Sequence, residues 1–192
     1  MTSTYDLVVL AGGTARRLGG RDKVTLPLDG TSSVERLLAQ TADAGRVIGV
    51  GEVRETSRPI FWCREEPPGS GPLAAVAAAL PHASGDIVLV AAGDMPFLGE
   101  AKQALLDALA GAELADAATL CDGAGVRQPL AAAYRRDALM RRIRDLDEVA
   151  DRPARLLLDG LNVVDVPADR SADDIDTWDD VYRIEEELRR AR

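Results

Sequence analysis

Arg16, Arg17, Arg21 and Lys23 crowd a short loop that also holds Gly12, Gly13, Gly19 and Gly20. Glycines let backbone N–H groups approach a ligand with no Cβ in the way. Amides ringed by cations suit a polyphosphate, so the loop reads as a nucleotide site. A second reactive position is Asp94, in Gly93-Asp94-Met95-Pro96-Phe97 directly after the apolar run Ile87 to Ala92. An aspartate fixed at the end of a buried strand offers the hard oxygen ligand that Mg²⁺ prefers. Asp176, in Asp174-Ile175-Asp176-Thr177, is either a second such ligand or a cap for the helix that follows. His82 is the sole histidine, so triad catalysis and histidine-based zinc sites would all depend on that one residue.

The elements that must position these groups alternate along the chain. Leu7 to Leu10 and Ile87 to Ala92 are continuous apolar runs, as expected of strands covered on both faces. Shorter strands are predicted at Arg46–Val50, Ile60–Cys63, Ala117–Leu120, Leu130–Tyr134 and Val163–Val166. Helices are predicted at Ser33–Ala42, Leu73–Leu80, Lys102–Leu109, Asp137–Leu146, Ala154–Leu158 and Thr177–Arg189, the last capped by Thr177 with Asp180. The alternation predicts an α/β fold, a three-layer α/β/α Rossmann-like arrangement over a mainly parallel mixed sheet. Leu130–Tyr134 is the candidate antiparallel insertion. No linker or repeat divides residues 1–192, which are read as one domain. In open sheets of this kind a ligand lies outside the carboxyl ends of the strands, where both the glycine loop and Asp94 fall.

Bulk composition narrows the function classes. The chain has 192 residues, 46% hydrophobic and 29% charged, with a net charge of −9. That excess of acid argues against nucleic acid as a partner and makes the cationic loop a local exception. No apolar stretch reaches the length of a membrane helix, and Met1 to Asp6 leads directly into a strand without a signal peptide. Cys63 and Cys121 lie far apart and are expected to be reduced and structural, in a cytoplasmic protein. Lys23 and Lys102 are the only lysines against a background of arginine, so a compact point charge in the glycine loop is notable.

The loop contains neither G-x-G-x-x-G nor G-x-x-x-x-G-K-[ST]. Its pattern, L-A-G-G-x-x-x-R-L-G-G-x-D-K, closely resembles the signature of the molybdenum cofactor guanylyltransferase family, within the nucleotidyltransferases. Leu10, Ala11, Gly12, Gly13, Arg17, Gly19, Asp22 and Lys23 match, with Leu18 where methionine is usual. Gly71-Pro72-Leu73-Ala74 resembles the family's G-P-L-A-G turn, with Ala75 in place of the last glycine. Gly93 to Phe97 resembles C-D-x-P-F/Y, and Arg127-Gln128-Pro129-Leu130 resembles a Q-P-L segment. Asp174 to Asp180 resembles N-x-N-T-P-E-E, with aspartates for both asparagines and Trp178 for the proline.

The resemblance implies that Leu10 to Gly13 hold the base and the start of the triphosphate of GTP. It also implies that Arg17 and Lys23 bind phosphates, and that Gly71, Pro72 and Leu73 help form the guanine pocket. Asp94 would bind Mg²⁺, Glu66 would contact the nucleoside, and Gln128, Asp174 and Asp176 would face the acceptor. The implied reaction carries GMP from GTP to molybdenum-bound molybdopterin and releases pyrophosphate. An attacking phosphate is already an anion, so the near absence of histidine is no obstacle. The enzyme must position two anions and neutralise the leaving charge. Transient contact with proteins that insert the molybdenum cofactor follows from the same resemblance. The competing functions are a cytidylyltransferase on the same pterin, suggested by Asp174 to Thr177, and a transferase acting on a sugar phosphate or phospholactate. A nucleotide-binding module without catalysis is the competitor from another class.

Overall fold

A computed structural model describes residues 5–12, 18–19 and 21–190 of the chain. β1 spans Tyr5–Leu10, and β2 (Pro27–Leu28) and β3 (Thr31–Ser32) form a small hairpin before α1 (Ser33–Gln40). β4 (Val47–Val50) and β5 (Phe61–Cys63) precede α2 (Gly71–Ala79) and β6 (Ile87–Ala92). α3 (Lys102–Gly111) leads to β7 (Ala117–Cys121) and β8 (Arg127–Arg135). α4 (Arg136–Arg144), β9 (Val163–Pro167) and α5 (Trp178–Arg190) complete the series.

Among the described residues, seven strands form one sheet in the order β5-β4-β1-β6-β8-β7-β9. β5, β4, β1 and β6 are mutually parallel, and β7 is parallel to β9. β8 runs antiparallel to both β6 and β7, so the stretch singled out as an antiparallel insertion is one. It starts at Arg127 rather than Leu130, because its register slips from Thr119↔Ala132 to Leu120↔Gln128 and extra residues bulge out between. The Tyr134 hydroxyl donates to the Pro129 carbonyl (2.7 Å) and pins that bulge.

Alternation along β1 explains the layers. Leu7 and Val9 face a core built with Leu37 and Leu38 of α1 and Leu105 and Leu109 of α3. Val8 faces the opposite core, with Leu73 and Val76 of α2 and Leu139 of α4. Helices therefore cover both faces of a mostly parallel mixed sheet, the three-layer arrangement predicted. A third, smaller core joins Leu18, Leu26 and Leu28 to Phe97 and to Ile175, Val181 and Ile184. It packs α5 and the segment before it against the glycine-loop region and the turn that carries Asp94.

Asp6 is a charge buried inside β1, only 2% exposed. Its carboxylate accepts backbone N–H bonds from Arg46 (2.8 Å), Ser84 (2.6 Å) and Gly85 (2.8 Å), stapling the segments that lead into β4 and β6. Burial pushes this carboxyl up, but the amide donors outweigh it and hold the pKa below the ordinary 3.8. A lowered folded pKa means stability that is present above the unfolded value and lost as pH falls through the folded one. Asp6→Ala is therefore expected to cost roughly 3 kcal/mol at neutral pH by leaving three amides unpaired. Urea unfolding should show the gap to wild type narrowing below about pH 4, as the wild-type carboxyl protonates.

Candidate active site

The carboxyl ends of β1, β4 and β6 meet through backbone hydrogen bonds. Ala11 N donates to Val50 O (2.9 Å) and Gly93 N donates to Leu10 O (2.8 Å). Gly93 is required there, since a Cβ would sit 2.9 Å from both the Leu10 oxygen and Val24 Cγ1. Gly51 is equally confined. It has φ +141° and a Cβ would lie 2.9 Å from the Ala11 oxygen. These tight approaches bring Leu10, Ala11, Gly12 and Asp94 onto one edge of the sheet. Ala11 is buried and Gly12 exposed, whereas Gly13 and Arg17 lie outside the described residues.

Lys23 links the loop to Asp94. Asp22 caps a single 3₁₀ turn over Lys23–Thr25, its Oδ1 accepting from Val24 N (3.3 Å). From that turn the Lys23 ammonium lies 3.5 Å from Asp94 Oδ2 and donates to Asp176 Oδ1. Burial pulls the Lys23 pKa down, but the Asp176 hydrogen bond and the two carboxylate charges outweigh it and leave it raised. The Asp94 carboxyl is also shifted upward, above the usual carboxylate range. Burial pushes it up, Lys23 and its own backbone amide oppose, and Asp174 adds to the rise. At Lys23 the carboxylate partners outweigh burial, whereas at Asp94 burial outweighs the ammonium.

The C-terminal acidic segment is held on this edge. Ile175 N donates to the Asp94 carbonyl (3.1 Å), and the Ile175 side chain is fully buried in the third core. Asp174 carries a raised pKa, first through burial and then through Asp176. Asp176 was a candidate for either ligand or helix cap. The cap is made by others: Asp180 Oδ2 accepts from Thr177 N (2.8 Å), and Thr177 Oγ1 accepts from Asp180 N (3.3 Å). The Asp176 side chain points to Lys23 instead.

The remaining candidates are more dispersed. Gly71 (φ +88°) opens α2, with Pro72 exposed beside it. Leu73 is completely buried in the core, so only its backbone can serve a ligand. Glu66 is exposed on the turn before α2, where its neighbour Glu65 accepts from Gly69 N (2.8 Å). Gln128 lies at the start of β8, beyond the Ala91↔Ala131 pair and so level with the end of β6. Lys23, Asp94 and Asp176 are brought together by direct contact, with Asp174 in their field.

Two contacts in the site carry no motif. Arg21 sits over the ring of Trp178 at 5.6 Å, and Arg54 donates to Asp22 Oδ2 from Nε (2.5 Å). Among the described residues no group of three or more His, Cys, Asp or Glu forms a metal cluster. The carboxylates of Asp94 and Asp176, both in contact with Lys23, offer hard oxygens of the kind Mg²⁺ takes together with phosphate oxygens.

Residues 7–164 match the MobA-like NTP transferase domain. The chain belongs to the MobA-like NTP transferase family. Two relatives carry the name probable molybdenum cofactor guanylyltransferase. That of Mycobacterium tuberculosis is 36% identical over 160 residues, covering 79% of this chain and 78% of the relative. That of Clostridium perfringens is 33% identical over 96 residues, and the match spans 48% of each, about half the relative's length. The solved structure of molybdopterin-guanine dinucleotide biosynthesis protein A from Archaeoglobus fulgidus is similar with a TM-score of 0.69. It is 27% identical, covering 96% of this chain and 99% of that one. This MobA-like chain is thus a nucleotidyltransferase by family, with the mixed Rossmann-like sheet its relatives share. The family match ends within β9, so Asp174 and Asp176 lie beyond it.

Proposed function

We propose that this MobA-like protein transfers GMP from GTP to molybdenum-bound molybdopterin, forming molybdopterin guanine dinucleotide and pyrophosphate. The observation that carries the reading is the Lys23 ammonium set between Asp94 and Asp176 at the ligand edge of the sheet. The L-A-G-G loop, the Gly71-Pro72-Leu73 turn and the guanylyltransferase relatives support guanine as the base.

An oxygen of the acceptor's terminal phosphate attacks the α-phosphorus of GTP in line. The bond from the α-phosphorus to the bridging oxygen breaks, and that oxygen leaves with pyrophosphate. No proton has to be removed from the nucleophile, so positioning and charge neutralisation are the work of the site. Arg17 and Lys23 bind phosphates, with Lys23 aimed by its capped turn. Leu10 to Gly13 offer backbone amides, Gly71 to Leu73 border the base, and Glu66 faces the nucleoside. Gln128, Asp174 and Asp176 face the acceptor. Asp94 and Asp176 would hold a divalent metal, for which Mg²⁺ fits their hard oxygens. When bound it would offset negative charge on the phosphates.

Partners and setting follow the same reading. The ligands are GTP and the molybdenum cofactor, with transient contact to proteins that insert that cofactor. No described helix is long and apolar enough to cross a membrane, and Cys63 and Cys121 are both free thiols, in keeping with action in the cytoplasm.

One specific feature favours a second reading. Asp174 and Asp176 stand where guanylyl relatives are expected to carry asparagine, a pattern shared with cytidylyl transfer. Calorimetric titration with each nucleotide in the presence of Mg²⁺ separates the two. Binding of GTP at least tenfold tighter than CTP is expected, a difference of about 1.4 kcal/mol. Tighter binding of CTP would overturn the base assignment and leave the fold and the transfer chemistry standing.

A further inference from the structure

Gly49 lies in the middle of β4, directly opposite Trp62 of β5 in the parallel register. A Cβ at Gly49 would meet the Trp62 ring at 2.5 Å, so the ring occupies the place of the missing side chain. The Arg54 guanidinium stands over that ring, 5.7 Å from its centre. Its NH1 donates to the Glu52 carbonyl (2.7 Å), while Nε donates to Asp22 Oδ2 (2.5 Å). The Arg54 side chain is only 14% exposed despite sitting on a loop.

The two oxygens of Asp22 therefore have separate tasks. Oδ1 caps the turn that carries Lys23, and Oδ2 is held by Arg54. A capped carboxylate that is free to rotate fixes its turn poorly. One clamped by a guanidinium that is itself anchored on an aromatic face and a carbonyl fixes it well. The contacts run from Gly49 to Trp62, Arg54 and Asp22, whose Oδ1 accepts from Val24 N and so caps the turn that carries Lys23. From that turn Lys23 reaches Asp94 and Asp176, while the polar partners of Arg54 are Asp22 and the Glu52 carbonyl.

We infer that Arg54 is a positioning residue, which acts through Asp22 to aim the Lys23 ammonium at the phosphate site. This rests on the triphosphate reading of that site given above. The test is a double-mutant cycle on Arg54→Ala and Asp22→Ala, read by calorimetric affinity for GTP with Mg²⁺. Arg54→Ala is expected to weaken binding about tenfold, the loss of one charge-assisted hydrogen bond. In the Asp22→Ala background the same change should add less than about twofold, because the link is already cut. Arg54→Lys keeps the charge but cannot span both acceptors while lying flat on the ring, so it should restore only part of the affinity. It also serves in place of alanine if that variant does not fold.

A second readout needs no nucleotide. Hydrogen exchange at the amides of Val24, Thr25 and Leu26 should quicken in Arg54→Ala, with the amides of β1 unchanged. Additive losses in the cycle would overturn the inference, since Arg54 would then act on the nucleotide itself. So would an unchanged affinity with unchanged exchange. Should the wild-type protein bind neither GTP nor CTP, the functional reading fails, and the exchange of residues 24–26 alone decides the role of Arg54.

Discussion

Asp94→Ala is expected to lower turnover by roughly a thousandfold while nucleotide affinity changes by only a few-fold. The carboxylate is held at the end of a buried strand, with Lys23 at 3.5 Å and its carbonyl already engaged by Ile175 N. In the proposed reaction it would contribute a fixed negative oxygen for a metal and for balancing the developing leaving charge. A pure nucleotide binder has no need of such a group, so the split between turnover and affinity separates enzyme from binding module. Asp94→Asn should fall close to alanine, because it keeps the shape and loses the charge. Steady-state pyrophosphate release and calorimetry on the same preparations check the pair. Turnover within about tenfold of wild type would remove Asp94 from the reaction.

Lys23→Ala carries the second large effect, and it falls on binding as well as rate. The ammonium neutralises Asp94 and Asp176, and Asp174 lies in the same field. Without it, three carboxylates face an incoming triphosphate with their repulsion uncompensated. Affinity for GTP is expected to drop roughly a hundredfold, with a further fall in turnover. Lys23→Arg should recover affinity better than rate. Its planar fork brings charge to the phosphates but does not fit the space between two carboxylates that a point charge fills. Calorimetry and initial-rate measurements on both variants test this. Equal losses in lysine-to-arginine and lysine-to-alanine would show that geometry alone, not charge, is at stake.

The parts of the molecule legible in the sequence are those with strong local signals. β1 and β6 are continuous apolar runs bounded by turn residues, and β6 occupies Ile87–Ala92 as predicted. The hairpin of β2 and β3 leaves no signal in the sequence, because two-residue strands have no periodicity to read. The start of β8 is hidden by a bulge in its pairing with β7, which no local periodicity announces. At the site, Lys23 and Asp94 are legible as motif residues on the same end of the sheet, but the direct contact of the Lys23 ammonium with Asp94 and Asp176 is not. Asp176 reads equally as ligand or cap in the sequence, and in the structure the Thr177–Asp180 pair makes the cap.

Arg54 had no motif and could not be found by spacing. One signal did exist. An isolated glycine within the strand Val47-Ile48-Gly49-Val50 marks a close approach, and Trp62 is what approaches.

The most direct test of the central claim is a product assay with purified protein, Mg²⁺, molybdenum-bound molybdopterin and either GTP or CTP. Molybdopterin guanine dinucleotide, formed with an equal amount of pyrophosphate from GTP, is the expected result. Transfer from CTP in preference to GTP, or pyrophosphate release from neither nucleotide, contradicts it.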